Sequence, residues 1–234
     1  YIEVPAGGNG GFLEADGSSA FVNVDFGSIR SIHNVESLES DMPLQVRSCV
    51  LREDSGGEGE RRGGLGMRRE LRLCEGEALY SVLGDRAVVP PFGMHGGGPA
   101  KQLSVSWQRG QTVTLFKTPG KVTGHRIQKG DVVIMESAGG GGYGDPLNRD
   151  PEEVRNDLLS GYITPHRAEA GYGVCFTGEW EVDDDRTRAL RLDMRGRRLR
   201  LTVKDDETDP YRGNRGKRRV VRLSDGTISR LGVR

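Results

Sequence analysis

The chain has 234 residues, of which 34% are hydrophobic and 36 are glycine, and its 34 basic side chains balance 34 acidic ones. This length holds one large domain or two small ones around a buried core, and a glycine share about twice the usual one describes a folded chain whose backbone turns often and approaches other backbone closely. No run of about 18 apolar residues offers a membrane span, Tyr1–Gly11 lacks the basic start and apolar run of a secretion signal, and Cys49, Cys74 and Cys175 form no Cys-x-x-Cys pair for a disulfide framework or a thiolate zinc site.

A cytoplasmic location without membrane contact is therefore expected. Because the chain starts at Tyr1 without a methionine, it is also expected to be part of a longer or processed polypeptide.

In chain order, β-branched or alternating apolar residues predict short strands at Ala20–Asp25, Leu44–Arg52, Met67–Cys74, Ala78–Leu83, Leu103–Trp107, Gln111–Thr118 and Asp131–Ser137. Glycine loops lie between them: Gly7–Gly11, Ser55–Gly59, Arg62–Gly64, Gly96–Gly98 and Gly139–Gly142. Helices come late. Asp150-Pro151-Glu152-Glu153 supplies an N-cap acceptor, a proline at the first helical position and a carboxylate at the third, and Val154, Leu158 and Leu159 give an apolar face up to Gly161. Thr164-Pro165 starts a second helix of about two turns, ending near Gly171, which is too short to read DNA and suits packing. No internal repeat is present.

From Arg186 to Arg234 the chain carries 16 basic and 6 acidic residues, a local charge of +10 that leaves −10 on the rest. A basic tail raises nucleic acid as a partner, but Tyr211 is its one aromatic, so it has no stacking platform. Arg195–Lys204 alternates as a half-exposed strand would. Docking on an acidic face of this protein or of a partner subunit is expected, rather than nucleic-acid binding. The predicted fold is α+β and β-rich: a glycine-loop body over 1–146, a short helical pair within 147–177, and a basic C-terminal segment, partly β, over 178–234.

Gly139-Gly140-Gly141-Gly142-Tyr143-Gly144 satisfies Gly-x-Gly-x-x-Gly after a predicted strand, as a dinucleotide site would. The next helix, however, opens only at Asp150–Pro151, too late to place its N-terminus on a pyrophosphate. What remains is a loop whose backbone amides can approach an oxyanion or another chain. Gly120-Lys121-Val122 and Gly216-Lys217-Arg218 lack the hydroxyl and glycine spacing of a phosphate loop, so any ATP is held elsewhere. His33, His95, His125 and His166 fall in four segments without metal-ligand spacing. His95 stands out because Pro90–Gly98 is rigid at one end and open at the other. Asp85-Arg86 follows a strand end beside that loop, where it either binds a polar substrate group or closes a turn. Ser55 reads as a turn former, not a nucleophile.

Taken in order, Leu51–Gly66 with its Ser55-Gly56-Gly57-Glu58-Gly59 start, Ser81–Arg86, Pro90–Gly93, Met135–Pro146, Arg149–Val154, Gly161–Thr164 and Tyr172–Val174 resemble the C-terminal part of the hydantoinase B/5-oxoprolinase family. Relatives of that family include acetone and acetophenone carboxylase subunits. The resemblance covers about residues 5–177, and the tail more loosely.

It implies a subunit of a hetero-oligomeric, ATP-dependent enzyme. A hydantoinase A-like partner would bind ATP with magnesium and phosphorylate a cyclic amide or carbonyl oxygen, and the B-type subunit would direct attack on the activated small molecule. A divalent metal, zinc or manganese, would sit in the N-terminal part of the B-type subunit, upstream of the matched region, so no metal ligand is assigned here. The expected activity is hydrolysis of a hydantoin, 5-oxoproline or a related lactam. The alternatives are ketone carboxylation and a non-catalytic scaffold or interface role. No catalytic residue is assigned. The candidate substrate-binding residues are Asp85 and Arg86 as orienting groups, His95, the Gly139, Gly140, Gly141 and Gly142 backbone facing an oxyanion, and Tyr143 and Asp145 pinning that loop.

Overall fold

The structure, a computed structural model, describes residues 1–21 and 32–198. After helix α1 (Val35–Asp41) come strands β1 (Leu44–Leu51), β2 (Met67–Leu73), β3 (Glu77–Leu83), β4 (Ser104–Arg109), β5 (Thr112–Leu115), β6 (Lys121–Gln128) and β7 (Val132–Glu136). A 3-10 turn at Pro146–Asn148 leads into helices α2 (Pro151–Leu159), α3 (Pro165–Tyr172) and α4 (Asp184–Gly196). The fold is α+β with more strand than helix, as the sequence predicts.

Five strands form one antiparallel sheet in the order β1-β2-β7-β4-β5, and β3 pairs with β6 in a second sheet. Strand β2 shows why: Met67, Arg69, Leu71 and Leu73 are buried while the residues between them are more open, the period-2 pattern of a strand with one covered face. Its neighbour β7 sits in the middle of the sheet, and Val132, Val133 and Ile134 are buried in succession. Leu71, Leu73 and Val133 meet Ile127 of β6 and Leu38 of α1 in the main apolar core, with Tyr80 of β3 packed against it. Both sheets thus share one core.

The helical part has its own core of Val154, Ile163, Ala168, Tyr172 and Val174. The Asp150 carboxylate accepts from the Glu152 N–H at 2.9 Å and Pro151 opens α2, while the Thr164 hydroxyl accepts from the Arg167 N–H at 3.1 Å at the start of α3. Gly173, at φ 62°, ends α3 in the left-handed conformation that glycine adopts without strain.

The sequence reading differs from the structure in three places. Lys121–Gln128 and Val35–Asp41 form β6 and α1, which the sequence pattern does not predict. Within the region expected to be partly β, Asp184–Gly196 is helical, capped by Asp183 and moored by arginines. Arg191 donates to the Tyr172 and Arg149 carbonyls at 3.0 and 2.8 Å, and Arg195 to the Leu147 carbonyl at 2.8 Å. Arg195 and Gly196, at the start of the predicted strand, instead close that helix. Arg197 caps its end, and residues 199–204 of that predicted strand, with Tyr211, lie outside the described residues. Of the predicted strand Ala20–Asp25, Phe21 makes a single bridge to Gly7, and residues from 22 on lie outside the described part.

The glycine loops are the unusual part of the interior. They pass one another at backbone contact and bond laterally. The Gly140 N–H donates to the Gly64 carbonyl at 2.9 Å, and its carbonyl accepts from the Gly57 N–H at 2.9 Å. The Gly64 N–H donates to the Asn9 carbonyl at 2.8 Å. A Cβ on Gly140 would stand 1.8 Å from the Asn9 carbonyl oxygen, so only glycine fits there.

Candidate functional site

Strand β3 ends at Leu83 and delivers Gly84-Asp85-Arg86 to the mouth of a cleft of about 750 Å3. The opposite walls are the N-terminal segment Ile2–Gly10, Pro91–Phe92, and the run from Met135 through Gly141. The cleft therefore brings together Asp85, Arg86 and the backbone of Gly139, Gly140 and Gly141. The Asp85 carboxylate is almost fully exposed and stands 3.8 Å from the Lys121 ammonium. Arg86 is exposed, with a left-handed φ of 61°, and its guanidinium carbon lies 5.9 Å from the Phe92 ring centre. Among the described residues no carboxylate comes within ion-pair distance of Arg86.

The remaining candidates lie outside the cleft lining. His95, at φ 52°, packs its ring 4.8 Å from that of Tyr143. The Met94 N–H donates to the Gly142 carbonyl at 2.9 Å, and the Gly144 N–H to the Met94 carbonyl at 3.0 Å, so the His95 loop is stitched to the end of the glycine run. Tyr143 exchanges both backbone bonds with Arg61 at 2.9 Å. Asp145 accepts from the Leu147 N–H at 2.9 Å and caps the 3-10 turn.

Hydrogen bonding bears on what the glycine run can do. The N–H groups of Gly139, Gly140 and Gly142 donate to the carbonyls of Lys101, Gly64 and Gly98 at 3.2, 2.9 and 3.0 Å. All four glycines are buried. In this conformation those three amides hold neighbouring loops and are not directed at an oxyanion. Ser55 is fully buried; its hydroxyl donates to the Arg52 carbonyl and accepts from the Gly66 N–H at 2.9 Å, which makes it a turn former.

Sequence reasoning missed the ion network beneath the glycine loops. Arg149 Nη1 and Nη2 meet Asp16 Oδ1 and Oδ2, both at 2.7 Å, and Nη2 also meets Asp157 Oδ2 at 2.9 Å. Arg62 Nε lies 3.1 Å from Asp157 Oδ1, and the Arg62 N–H donates to Asp16 Oδ1 at 2.7 Å. Burial disfavours the Asp16 carboxylate, but the Arg149 bonds and charge, with those of Arg62, outweigh it and hold the carboxyl below its usual range. Burial wins at Asp157, which is pushed up despite the same two arginines. The sequence signal was faint: Arg62 before two glycines and Arg149 just before a helix cap, with nothing to pair them across the chain. A second buried pair, Arg69 Nε to the Glu3 carboxylate at 2.9 and 3.0 Å, ties the N-terminal segment to β2 beside a cavity of about 400 Å3 between the two sheets.

Among the described residues no group of three or more His, Cys, Asp or Glu side chains is arranged to hold a metal ion. Nor is any helix there long and apolar enough to cross a membrane.

Comparison with known proteins gives the following. The sequence profile of the Hydantoinase B/oxoprolinase family matches residues 1–146. The B-type subunit of a candidate D-/L-hydantoinase from Pseudomonas sp. (strain NS671) is 34% identical over 191 residues, 82% of this chain and 32% of that protein. The crystal structure of ATP-dependent caprolactamase from Pseudomonas jessenii superposes with a TM-score of 0.69 at 29% identity, over 80% of this chain and 32% of that one. Nucleotide-free acetone carboxylase, from work on ATP-dependent acetone carboxylation, shares the fold with a TM-score of 0.70 at 22% identity, over 86% of this chain and 31% of that one. The chain thus spans about a third of the length of these relatives.

Proposed function

The chain belongs to the hydantoinase B/oxoprolinase family, and on that premise we propose that it is part of the B-type subunit of an ATP-dependent cyclic-amide hydrolase, acting on a substrate that an A-type partner phosphorylates on oxygen. The observation that carries this reading is the cleft where Asp85, Arg86 and the Gly139–Gly141 backbone meet. Its volume suits a small molecule.

The chemistry explains the need for ATP. Amide resonance makes a lactam carbon a poor electrophile. Transfer of the terminal phosphoryl group of ATP to the amide oxygen releases ADP and leaves an O-phosphoryl imidate. Water then adds to the carbon, and the C–N bond breaks with the nitrogen taking a proton. A second water removes phosphate from the resulting acyl phosphate. One lactam, one ATP and two waters become one amino acid, ADP and phosphate. In this scheme Arg86 holds the phosphoryl oxygens and Asp85 accepts the lactam N–H, so both orient the substrate. The magnesium and ATP belong to the A-type partner. The zinc or manganese is assigned to the upstream part of the B-type subunit.

A second reading, an ATP-dependent ketone carboxylase, is supported by the likeness to the acetophenone carboxylase delta subunit of Aromatoleum aromaticum, 30% identical over 68% of this chain and 28% of that protein. ADP release by the purified native assembly distinguishes the two. Dependence on a lactam or hydantoin alone is the expected result. Dependence on a ketone together with bicarbonate would transfer the assignment to the carboxylases, and indifference to both would remove the enzymatic reading.

A further inference from the structure

Arg69 of β2 is 2% exposed and lines the cavity of about 400 Å3 between the two sheets. Its Nε meets both oxygens of Glu3, at 2.9 and 3.0 Å, and the Tyr1 hydroxyl donates to the same carboxylate. Burial works against the guanidinium charge, but Glu3, Tyr1 and Cys49 more than offset it, so Arg69 stays charged. Its Nη2 is left over. That atom is buried and has no hydrogen-bond partner among the described residues. A guanidinium carries five N–H donors in a fixed fork, and a buried donor left unpaired costs free energy that a ligand oxygen would recover. Most of the remaining lining is hydrocarbon, with Leu71 and Val133 from the five-stranded sheet and Ala78, Val82 and Ile127 from the two-stranded one. A preformed apolar chamber with a buried polar group on its wall is the usual form of a small-molecule site. Ile2 and Leu79 of the lining are 85% and 70% exposed, so the cavity can be entered from solvent.

We propose that this cavity binds an uncharged amphipathic small molecule, a hydrocarbon body bearing one carbonyl oxygen, and that the oxygen accepts from Arg69 Nη2. Charge selects the class. Arg69 is the one cationic side chain among the described lining residues, and Glu3 already neutralises it. A ligand carboxylate would therefore be buried without a cation of its own, which is costly away from water. A neutral carbonyl brings the missing acceptor and no charge. A ligand of hydrocarbon alone would fill the space and leave Nη2 unpaired. The site differs in chemistry from the neighbouring cleft: Ile2, Glu3, Pro5 and Val82 line both, but Asp85, Arg86 and the glycine run line only the cleft. Binding in the cavity is thus independent of the reaction assigned to the cleft.

The test titrates the purified native assembly with prodan, a neutral fluorescent ketone whose emission shifts to the blue in apolar surroundings. Bound prodan is then challenged with 2-decanone, with decanoate and with hydantoin. The same titration is run on two variants whose folding is checked by circular dichroism. Arg69→Lys keeps a cation beside Glu3 and removes the guanidinium fork, while Ala78→Phe fills the space from β3. The expected result is saturable, blue-shifted binding that 2-decanone displaces and that decanoate and hydantoin leave in place. Arg69→Lys should weaken it roughly tenfold, and Ala78→Phe should abolish it. Absence of saturable binding, or affinity unchanged in either folded variant, would overturn the proposal. Displacement by decanoate as effective as by the ketone would overturn the uncharged class, and displacement by hydantoin would return the cavity to the cleft's own substrate. The displacement series uses the unaltered protein, so it decides the matter even where a variant fails to fold.

Discussion

Arg149 holds Asp16 at two points, Nη1 to Oδ1 and Nη2 to Oδ2, each at 2.7 Å, across 133 residues of chain. The same guanidinium reaches Asp157 and the Glu60 carbonyl. One side chain therefore fixes the N-terminal glycine loop, the loop before Gly63 and helix α2 against one another. Asp16→Asn should cost about 2–3 kcal/mol in urea unfolding, less than the roughly 3–5 kcal/mol of a fully buried pair, because about a third of the Asp16 side chain still meets water. Asp157→Asn should cost less, since burial already disfavours that charge.

Glycine-to-alanine substitutions separate packing from flexibility. At Gly140 the new Cβ would meet the Asn9 carbonyl oxygen at 1.8 Å, and the obstacle is backbone, which cannot rotate away. Gly140→Ala should lose more than about 4 kcal/mol and yield insoluble protein. Gly178 has nothing within 4 Å of a Cβ, and Gly178→Ala should change stability by less than about 0.5 kcal/mol. Expression yield and thermal midpoints of the two variants provide the comparison.

Asp85→Asn and Arg86→Ala should raise the KM of the assembled enzyme by roughly tenfold or more, since a lost hydrogen bond to a charged group is worth about 1.5–3 kcal/mol. Both side chains are exposed, so circular dichroism and assembly should be unchanged. If subunit association weakens while KM holds, these residues serve the interface and not the substrate.

Asp131 is buried and accepts from Arg109 Nε and Nη2 at 2.8 and 2.6 Å, and the Arg109 bonds hold its carboxyl below the ordinary range. Asp16 is lowered too, its arginine partners outweighing burial. A carboxyl with a lowered folded-state value contributes stability that is complete above the unfolded value of about 4 and is lost as pH falls through the folded one. Stability should therefore drop steeply below about pH 4. Asp131→Asn should lose about 1–2 kcal/mol at pH 7 and show a shallower acid limb. Urea midpoints between pH 2 and pH 7 would show both.

What the sequence revealed depended on local pattern. Strands β1, β2 and β7 carry enough apolar residues to be read directly, and Asp150–Pro151 and Thr164–Pro165 announce their helices because cap chemistry is local. Strand β6 was hidden: only Val122 and Ile127 are aliphatic, Gly124 and His125 interrupt it, and its pairing with β3 shifts register between Tyr80 and Val82. Helix α1 has seven residues and one buried side chain, Leu38. Helix α4 docks through arginines on carbonyls, which hydropathy does not register. At the site, Asp85 and Arg86 were visible as a strand-end pair beside a constrained loop. The partners of each glycine loop were not, because two identical stretches of glycine carry no information about which third stretch lies between them.

A core made of interleaved glycine loops buries peptide groups where most proteins bury hydrocarbon. Exposing amides to water lowers the heat capacity on unfolding, and exposing apolar surface raises it. The increment for this chain should therefore fall below the usual ~12–15 cal/mol/K per residue. A smaller increment flattens the dependence of stability on temperature. Apolar burial weakens as water is cooled, whereas the Gly57–Gly140–Gly64 ladder carries no hydrocarbon side chains, so the loops lining the cleft should keep their geometry at temperatures where an aliphatic lining would begin to loosen.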